Sequence, residues 1–415
     1  MTIQASRARD TAEAIARRSY GKLVAFLAAP LRDVAAAEDA LSEAFAAALA
    51  DWPVSGCPAN PEAWLLTVAR RKSIDASRRQ RTNDLAIGEL RTLDDVFDST
   101  DSRDAEIPDQ RLGLMFACAH PAIDASIRAP LMLQTVLGLD AASIASAFLV
   151  SSATMGKRLV RAKEKIRQAG ISFAIPERDE LAGRLECVLD AIYAAYSEGW
   201  NDPVGTEAAR RDLAEEAMFL GRIMVELAFD EPEALGLLAL MLYTEARRDT
   251  RRADDGDYVP LEDQDASHWD ASMIAAAENL VECAGELRAP GRYQLEAALQ
   301  SAHVHRRMTG QSNWHDIVAL YDALLELSNS PVIAINRALA VAEVDGAQAA
   351  LAILPDAAVE RRLIEYQPYW AARASLLART GAIDDARRAY DIAVGLEHDP
   401  AVRKFLQRRK DMLSE

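Results

Sequence analysis

The sequence predicts an all-α protein, and three observations favour that class. Alanine, leucine, glutamate and arginine are abundant among the 415 residues, and these residues lose little side-chain freedom in a helix. Glycine and proline, at 19 and 16 residues, are few for a chain of this length. Apolar residues recur three or four positions apart in most segments, as on one face of a helix. At roughly 150 residues per domain, the length corresponds to two to four domains.

Charge is distributed unevenly along the chain. The net charge is −17, which by itself argues against a partner as acidic as DNA. Two weakly basic parts nevertheless alternate with two acidic parts. Residues 1–82 contain 12 basic and 9 acidic residues, and residues 111–170 contain 8 basic and 3 acidic residues. In contrast, residues 83–110 contain 2 basic and 9 acidic residues, and residues 171–415 contain 25 basic and 43 acidic residues. This asymmetry indicates domains with different partners.

The charge pattern and the helical periodicity together predict the domain organisation. We expect a first helical domain at residues 10–82 and a second at residues 111–170. Residues 83–110 are rich in Asp, Ser and Thr, a composition typical of an acidic, loosely ordered linker. Residues 176–415 are expected to form a helical extension.

The first domain contains an amphipathic helix followed by a basic one. Apolar residues at Val34, Leu41 and Phe45 predict a helix over 34–49, which Trp52-Pro53 is expected to end. Asn60 before Pro61 is a favourable start for the next helix. That helix carries the predicted DNA-binding residues of this domain: Trp64, Arg70, Arg71, Lys72, Arg78 and Arg79. A basic run alone is most often a solvated helix face, but two such clusters in separate domains favour nucleic acid.

The second domain has the pattern of a helix-turn-helix. Asp140 is expected to cap a short helix, and Ser151 or Ser152 a longer one. In the longer helix, Met155 and Leu159 belong to an apolar stripe, while basic residues lie on the other side. The second helix of such a motif enters the DNA major groove, although a simple helical hairpin has the same pattern. The predicted DNA-binding residues here are Ser152, Thr154, Lys157, Arg158, Arg161 and Lys165.

The extension is predicted to form successive helices, and two of its segments are similar in sequence to each other. Residues 331–338 resemble residues 368–375, and each copy is followed by a glycine turn and a second helix. This resembles tetratricopeptide (TPR) repeats, whose stacked helix pairs build a concave surface; an irregular bundle is the alternative. Seven aromatic residues of this part are candidates either for a ligand pocket or, more simply, for packing between helices: Trp200, Tyr258, Trp269, Trp314, Tyr366, Tyr369 and Trp370.

Motifs of enzymes and metal sites are missing from the sequence. It contains no GxGxxG, P-loop, HExxH or GxSxG motif, and its four cysteines are dispersed. No apolar run approaches the ~20 residues of a membrane span, and residues 1–20 lack the apolar core of a signal peptide. We therefore expect a cytoplasmic protein that is not an enzyme and uses no cofactor or metal.

Three segments, in this order, resemble the extracytoplasmic-function sigma factors of bacterial RNA polymerase. They are residues 36–45 (AAEDALSEAF), 63–79 (AWLLTVARRKSIDASRR) and 153–163 (ATMGKRLVRAK). The resemblance implies that the first segment docks on core RNA polymerase, that the second opens and reads the −10 promoter element, and that the third reads the −35 element. It assigns polymerase binding to Glu38, Asp39, Leu41, Ser42, Glu43 and Phe45.

The extension is similar to that of a subgroup of these factors with a C-terminal tetratricopeptide-like domain. The resemblance implies promoter-directed transcription initiation by core RNA polymerase, without a membrane anti-sigma factor. The extension itself is then expected to control activity, and small DGPF-motif proteins are possible partners. The alternative hypothesis is a helical ligand-sensing protein or enzyme with an incidental helix-turn-helix.

Overall fold

The computed structural model describes most of the chain, in five stretches: residues 3–81, 109–148, 150–200, 208–228 and 230–414. Within these stretches the regular elements are helices, together with one isolated bridge between Arg252 and Tyr258. The all-α prediction is confirmed. The predicted linker at 83–110 lies outside the described residues except for its last two positions.

Contacts within the described residues form two units. The first extends to Trp200 and also includes Ala208–Leu220; the second begins at Gly221. The helices up to Trp200 are α1 (Ile3–Leu31), α2 (Val34–Ser55), α3 (Pro61–Arg81), α4 (Arg111–Cys118), α5 (Ala125–Leu137), α6 (Ala141–Ala147), α7 (Ser152–Gln168) and α8 (Arg178–Trp200). Helix α9 (Ala208–Leu227) follows.

Helices α1, α2 and α3 pack into a bundle around fully buried apolar side chains such as Leu27, Leu41 and Leu65. Asn60 caps α3 as expected, because its side-chain oxygen accepts the Ala63 N–H at 3.1 Å. The prediction that Trp52-Pro53 ends α2 was wrong: the helix runs on to Ser55. Proline removes only its own N–H donor, and the helix instead ends at Gly56, whose φ of 88° is unfavourable for other residues.

Helices α6 and α7 follow each other closely and pack together. Asp140 accepts N–H bonds from Ala142 and Ser143, and Ser151, rather than Ser152, caps α7. The apolar stripe of α7 is buried as predicted, at Met155, Leu159, Ala162 and Ile166. Helix α5 begins at Ala125, because the Asp124 side chain accepts the Ser126 N–H and caps it.

Helix α8 belongs to the first unit, although the sequence assigned it to the extension. It packs on α4 and α5 through buried residues that include Val188 and Ile192. The Arg184 guanidinium also donates to the Phe116 carbonyl at 2.8 Å. The sequence reveals the helix but not the surface on which it packs.

The second unit contains the helices α10 (Pro232–Glu245), α11 (Ala271–Glu286), α12 (Arg292–Thr309), α13 (Trp314–Leu327), α14 (Pro331–Val344), α15 (Ala347–Ile353), α16 (Gln367–Arg379), α17 (Ile383–Leu396) and α18 (Pro400–Asp411). The two similar segments form the helix pairs α14–α15 and α16–α17. Gly346 and Gly381 precede the second helix of each pair with φ of 87° and 82°. The pairs share an apolar core that includes Ile335 and Tyr369.

Candidate functional site

The outer side of α2 presents an acidic face. Asp39, Ser42 and Glu43 are exposed, whereas Leu41 is fully buried and Phe45 is partly buried. Leu41 was included among the candidate polymerase-binding residues, but in this structure its side chain belongs to the bundle core. The surface that α2 offers to a partner therefore consists of acidic and hydroxyl groups.

Glu38, on the same helix, is bound within the protein. Its carboxylate forms an ion pair with the Lys163 ammonium of α7, and the two side chains are only 14% and 11% exposed. Burial raises the pKa of Glu38, and the Lys163 charge offsets part of that effect. The second carboxylate oxygen, Oε1, is buried without a hydrogen-bond partner. The pair thus joins the helix predicted to bind polymerase to the helix predicted to read DNA.

Two weaker contacts connect α2 with basic residues. The Lys72 ammonium of α3 lies 3.0 Å from the Glu43 carboxylate, and both side chains are about half exposed. The Arg167 guanidinium, near the end of α7, lies 4.0 Å from the carboxylate of Asp33, the cap of α2. Exposed pairs of this kind contribute at most about 1 kcal/mol, so either can open when a partner arrives.

Two glycines allow α1 and α5 to approach closely. A Cβ on Gly21 would lie 2.0 Å from the Val136 carbonyl oxygen, and one on Gly138 would lie 2.9 Å from the Tyr20 ring. Gly138 also has a φ of 75°, which favours glycine. The two predicted domains, residues 10–82 and 111–170, are therefore packed directly against each other.

The predicted DNA-binding residues of α3 have different environments. Trp64 packs edge-on against Trp52, with ring centroids 5.4 Å apart. The Arg70 guanidinium lies 5.0 Å from the Phe26 ring centroid, and Arg71 is exposed. Lys72 holds Glu43 as described above. The side chains at positions 78 and 79 lie outside the described residues.

The basic side of α7 is open to solvent. Its predicted DNA-binding residues are all exposed: Ser152, Thr154, Lys157, Arg158, Arg161 and Lys165. Within the part of the chain that the structure describes, none of the four cations in this set is paired with a carboxylate. Three of them, Arg158, Arg161 and Lys165, line a cleft of about 370 Å³ that is also lined by Ile123, Ile127 and one carboxylate, that of Asp124. Unpaired cations beside a cleft suit a polyanionic ligand such as DNA.

The described residues contain neither a metal-binding cluster nor a membrane-spanning helix. No group of three or more His, Cys, Asp or Glu residues there could hold a metal ion. None of the helices described is both long enough and apolar enough to span a membrane.

Comparison with known proteins assigns the first bundle. Residues 15–82, which contain most of α1 and all of α2 and α3, match the family Sigma-70 region 2. Residues 184–285 match DUF6596, a family of unknown function. A relative from Rhizobium meliloti (strain 1021), "Uncharacterized protein R00370", is 37% identical over 392 residues, which make up 92% of this chain and 91% of the relative. No solved structure matches.

The α1–α3 bundle, with its acidic α2 and basic α3, is therefore a sigma-70 region 2 domain, which points to a transcription initiation factor. The chain as a whole belongs to the family that contains R00370.

Sequence reasoning missed the contacts between the two predicted domains. In the sequence Lys163 is one of the basic residues of α7, and nothing there pairs it with Glu38, 125 positions earlier. Nothing in the sequence indicates that Gly21 and Gly138 lie where two helices approach closely, since glycine occurs within helices and at helix ends for several structural reasons. The one indication of the Glu38–Lys163 pair in the sequence is weak: Lys163 lies on the border between the apolar stripe and the basic side of α7.

Proposed function

We propose that the protein is a sigma factor of the extracytoplasmic-function type, which directs core RNA polymerase to specific promoters. The observation that carries this proposal is the region 2 match over α1–α3, combined with a second exposed basic helix, α7, later in the chain. In this proposal α3 opens and reads the −10 element, and α7 reads the −35 element as the second helix of a helix-turn-helix.

The geometry of α7 supports a DNA-reading role. Thr154, Lys157 and Arg158 lie in its first two turns, where a recognition helix meets base edges. Arg161 and Lys165 follow at intervals of four residues and are placed for phosphates. A phosphate contact adds affinity for any sequence, whereas the residues nearer the N-terminus select the promoter.

The acidic face of α2 is the proposed polymerase-docking surface. Asp39, Ser42 and Glu43 are accessible on it, while Glu38 is held by Lys163. We propose that this arrangement is a resting form, and that polymerase binding requires Glu38 to be released. The contacts between α2 and α7 include the buried Glu38–Lys163 pair and the weaker Arg167–Asp33 contact, so release requires both to break.

The second unit is the proposed regulator of the factor. Its helix pairs α14–α15 and α16–α17 are arranged in the order of tetratricopeptide repeats, a class that binds peptides and proteins. Residues 221–415 carry 21 basic and 32 acidic residues, a net charge opposite in sign to that of the proposed DNA-binding parts. A small DGPF-motif protein is the candidate partner that the family resemblance supplies.

Run-off transcription tests both parts of the proposal. Core RNA polymerase with the full chain is compared with core polymerase alone on a library of promoter fragments, and the proposal predicts discrete transcripts that need the protein. A chain ending at Leu227 keeps the whole first unit, including α8, and should initiate at the same promoters with altered efficiency. No protein-dependent transcript would refute the sigma role; equal efficiency of the two chains would refute control by the second unit.

A further inference from the structure

The second unit encloses a cavity of about 670 Å³ that the sigma function does not use. Its walls come from α12, α13, α14, α16, α18 and the segment around Tyr258. Cavities that hold small molecules are of this size, with mostly apolar walls and a few placed polar groups. Of the seven aromatic candidates from the sequence, Tyr258, Trp314 and Tyr366 line the cavity, whereas Trp269 and Tyr369 are buried in packing.

Arg306 provides the cavity with an unneutralised positive charge. Its guanidinium carbon lies 4.4 Å from the centroid of the Trp314 ring, which fixes the side chain by a cation–π contact. Its Nε is buried without a hydrogen-bond partner, and no described carboxylate forms an ion pair with it. A charged donor left unpaired in a partly buried site is costly unless a ligand supplies the acceptor.

The carboxylates at the cavity act on Arg306 only from a distance. Glu343 is paired with Arg379, whose guanidinium lies 2.5 Å from its carboxylate. Glu262 also lines the cavity; the charges of Glu262 and Glu343 offset part of the lowering of the Arg306 pKa by burial, but neither carboxylate forms an ion pair with Arg306. In a part of the chain where acidic residues outnumber basic ones, a cavity centred on an unpaired arginine indicates an anionic ligand.

His303, one helical turn before Arg306, adds a neutral polar group. Its ring meets Trp314 edge-on at 6.0 Å, and its Nδ1 is buried without a partner. Burial and the nearby Arg306 charge lower the pKa of His303 to about 4, so the ring is neutral at pH 7. Trp314 is thus bordered by an arginine that offers a carboxylate two parallel N–H bonds and by an imidazole that offers one more polar contact.

We propose that this cavity binds a small organic acid with an aromatic or apolar body, whose carboxylate pairs with Arg306. The aromatic walls formed by Trp314, Tyr258, Tyr321 and Tyr366 take the body, and they make edge or stacking contacts with a ring. The site lies wholly within the second unit and does not depend on the sigma role of the first.

The test uses the full-length protein and a matched pair of probes, 3-phenylpropionate and its neutral amide, 3-phenylpropionamide. Binding is followed by saturation-transfer NMR of the probes. For ligands this small we expect dissociation constants near or below about 10 mM, with the acid bound about tenfold more tightly than the amide. Arg306→Gln should remove that preference. Arg409→Gln, which changes the same charge on an exposed residue of α18 away from the cavity, should keep it.

Thermal unfolding of both variants confirms that they are folded. Three results would each overturn the proposal: equal binding of the acid and the amide, no binding of either at about 10 mM, or an unchanged preference for the acid in Arg306→Gln. None of these outcomes depends on transcription, so failure here is distinct from failure of the sigma assignment.

Discussion

Glu38 of α2 and Lys163 of α7 form a largely buried ion pair that joins the proposed polymerase-docking helix to the proposed DNA-reading helix. The same contact surface includes Gly21, which lets α1 approach the backbone of α5. In this structure the two parts that we propose to bind DNA are therefore packed against each other, and Glu38, one of the proposed docking residues, is already paired with Lys163.

Removing the ammonium of this pair should release the docking face. Lys163→Ala is expected to bind core polymerase at least about fivefold more tightly than the wild type, because the pair no longer has to be broken and the unpaired, buried Glu38 carboxylate favours release into solvent. Arg9→Ala, which removes an exposed cation of α1, is the control and should leave affinity unchanged. Titration of labelled protein with core enzyme measures both. Equal or weaker binding by Lys163→Ala would show that the pair does not restrain docking.

The packing of α1 against α5 should depend on the absence of a side chain at Gly21. Gly21→Ala places a methyl group 2.0 Å from a backbone carbonyl oxygen, so the helices have to move apart. We expect a loss of about 1–3 kcal/mol in the free energy of unfolding. Gly183→Ala, in α8 with nothing within 4 Å of the new methyl group, should instead be neutral or stabilising by up to about 1 kcal/mol. Denaturant unfolding of the two variants compares them; similar behaviour would refute the close approach.

Arg161 is expected to contact a DNA phosphate. Arg161→Ala should weaken binding to duplex DNA regardless of sequence and reduce the salt dependence by about one charge unit. Arg409→Ala is a suitable control, because it removes an exposed cation of α18, outside the proposed DNA-binding parts. Fluorescence anisotropy over a range of salt concentrations gives both slopes. An unchanged slope for Arg161→Ala would remove this face of α7 from the DNA interface.

The buried imidazole of His303 should make stability depend on pH. Its pKa falls from 6.5 to about 4 on folding, so its neutral form is favoured in the folded state. Its contribution is fully present above pH 6.5 and is lost as the pH falls towards 4, by up to about 3 kcal/mol. His303→Gln should lack this pH-dependent contribution. The difference in unfolding free energy between the wild type and His303→Gln should therefore change between pH 7 and pH 4. A constant difference would contradict the burial of a neutral ring.

Local patterns in the sequence located many of the helices, although α1 and α18 were not predicted. The apolar stripe of α7 and the caps Asn60 and Asp140 depend on neighbouring residues, so periodicity and capping chemistry locate them. The resemblance of the first helical domain to sigma factors is confirmed, because residues 15–82 match Sigma-70 region 2. Packing between distant segments could not be predicted: α8 was assigned to the extension, and the Glu38–Lys163 pair was not foreseen. Such contacts depend on the mutual placement of surfaces, which no local pattern encodes.

Binding to core RNA polymerase tests the central claim most directly. The full-length protein is mixed with core enzyme and the complex is separated by size-exclusion chromatography, alongside Asp39→Arg and Glu286→Arg. These variants reverse an exposed carboxylate on the α2 docking face and one on α11, respectively. The sigma assignment predicts that the wild type and Glu286→Arg coelute stoichiometrically with the core enzyme and that Asp39→Arg does not. Failure of the wild type to coelute, or coelution of Asp39→Arg to the same extent, would contradict it.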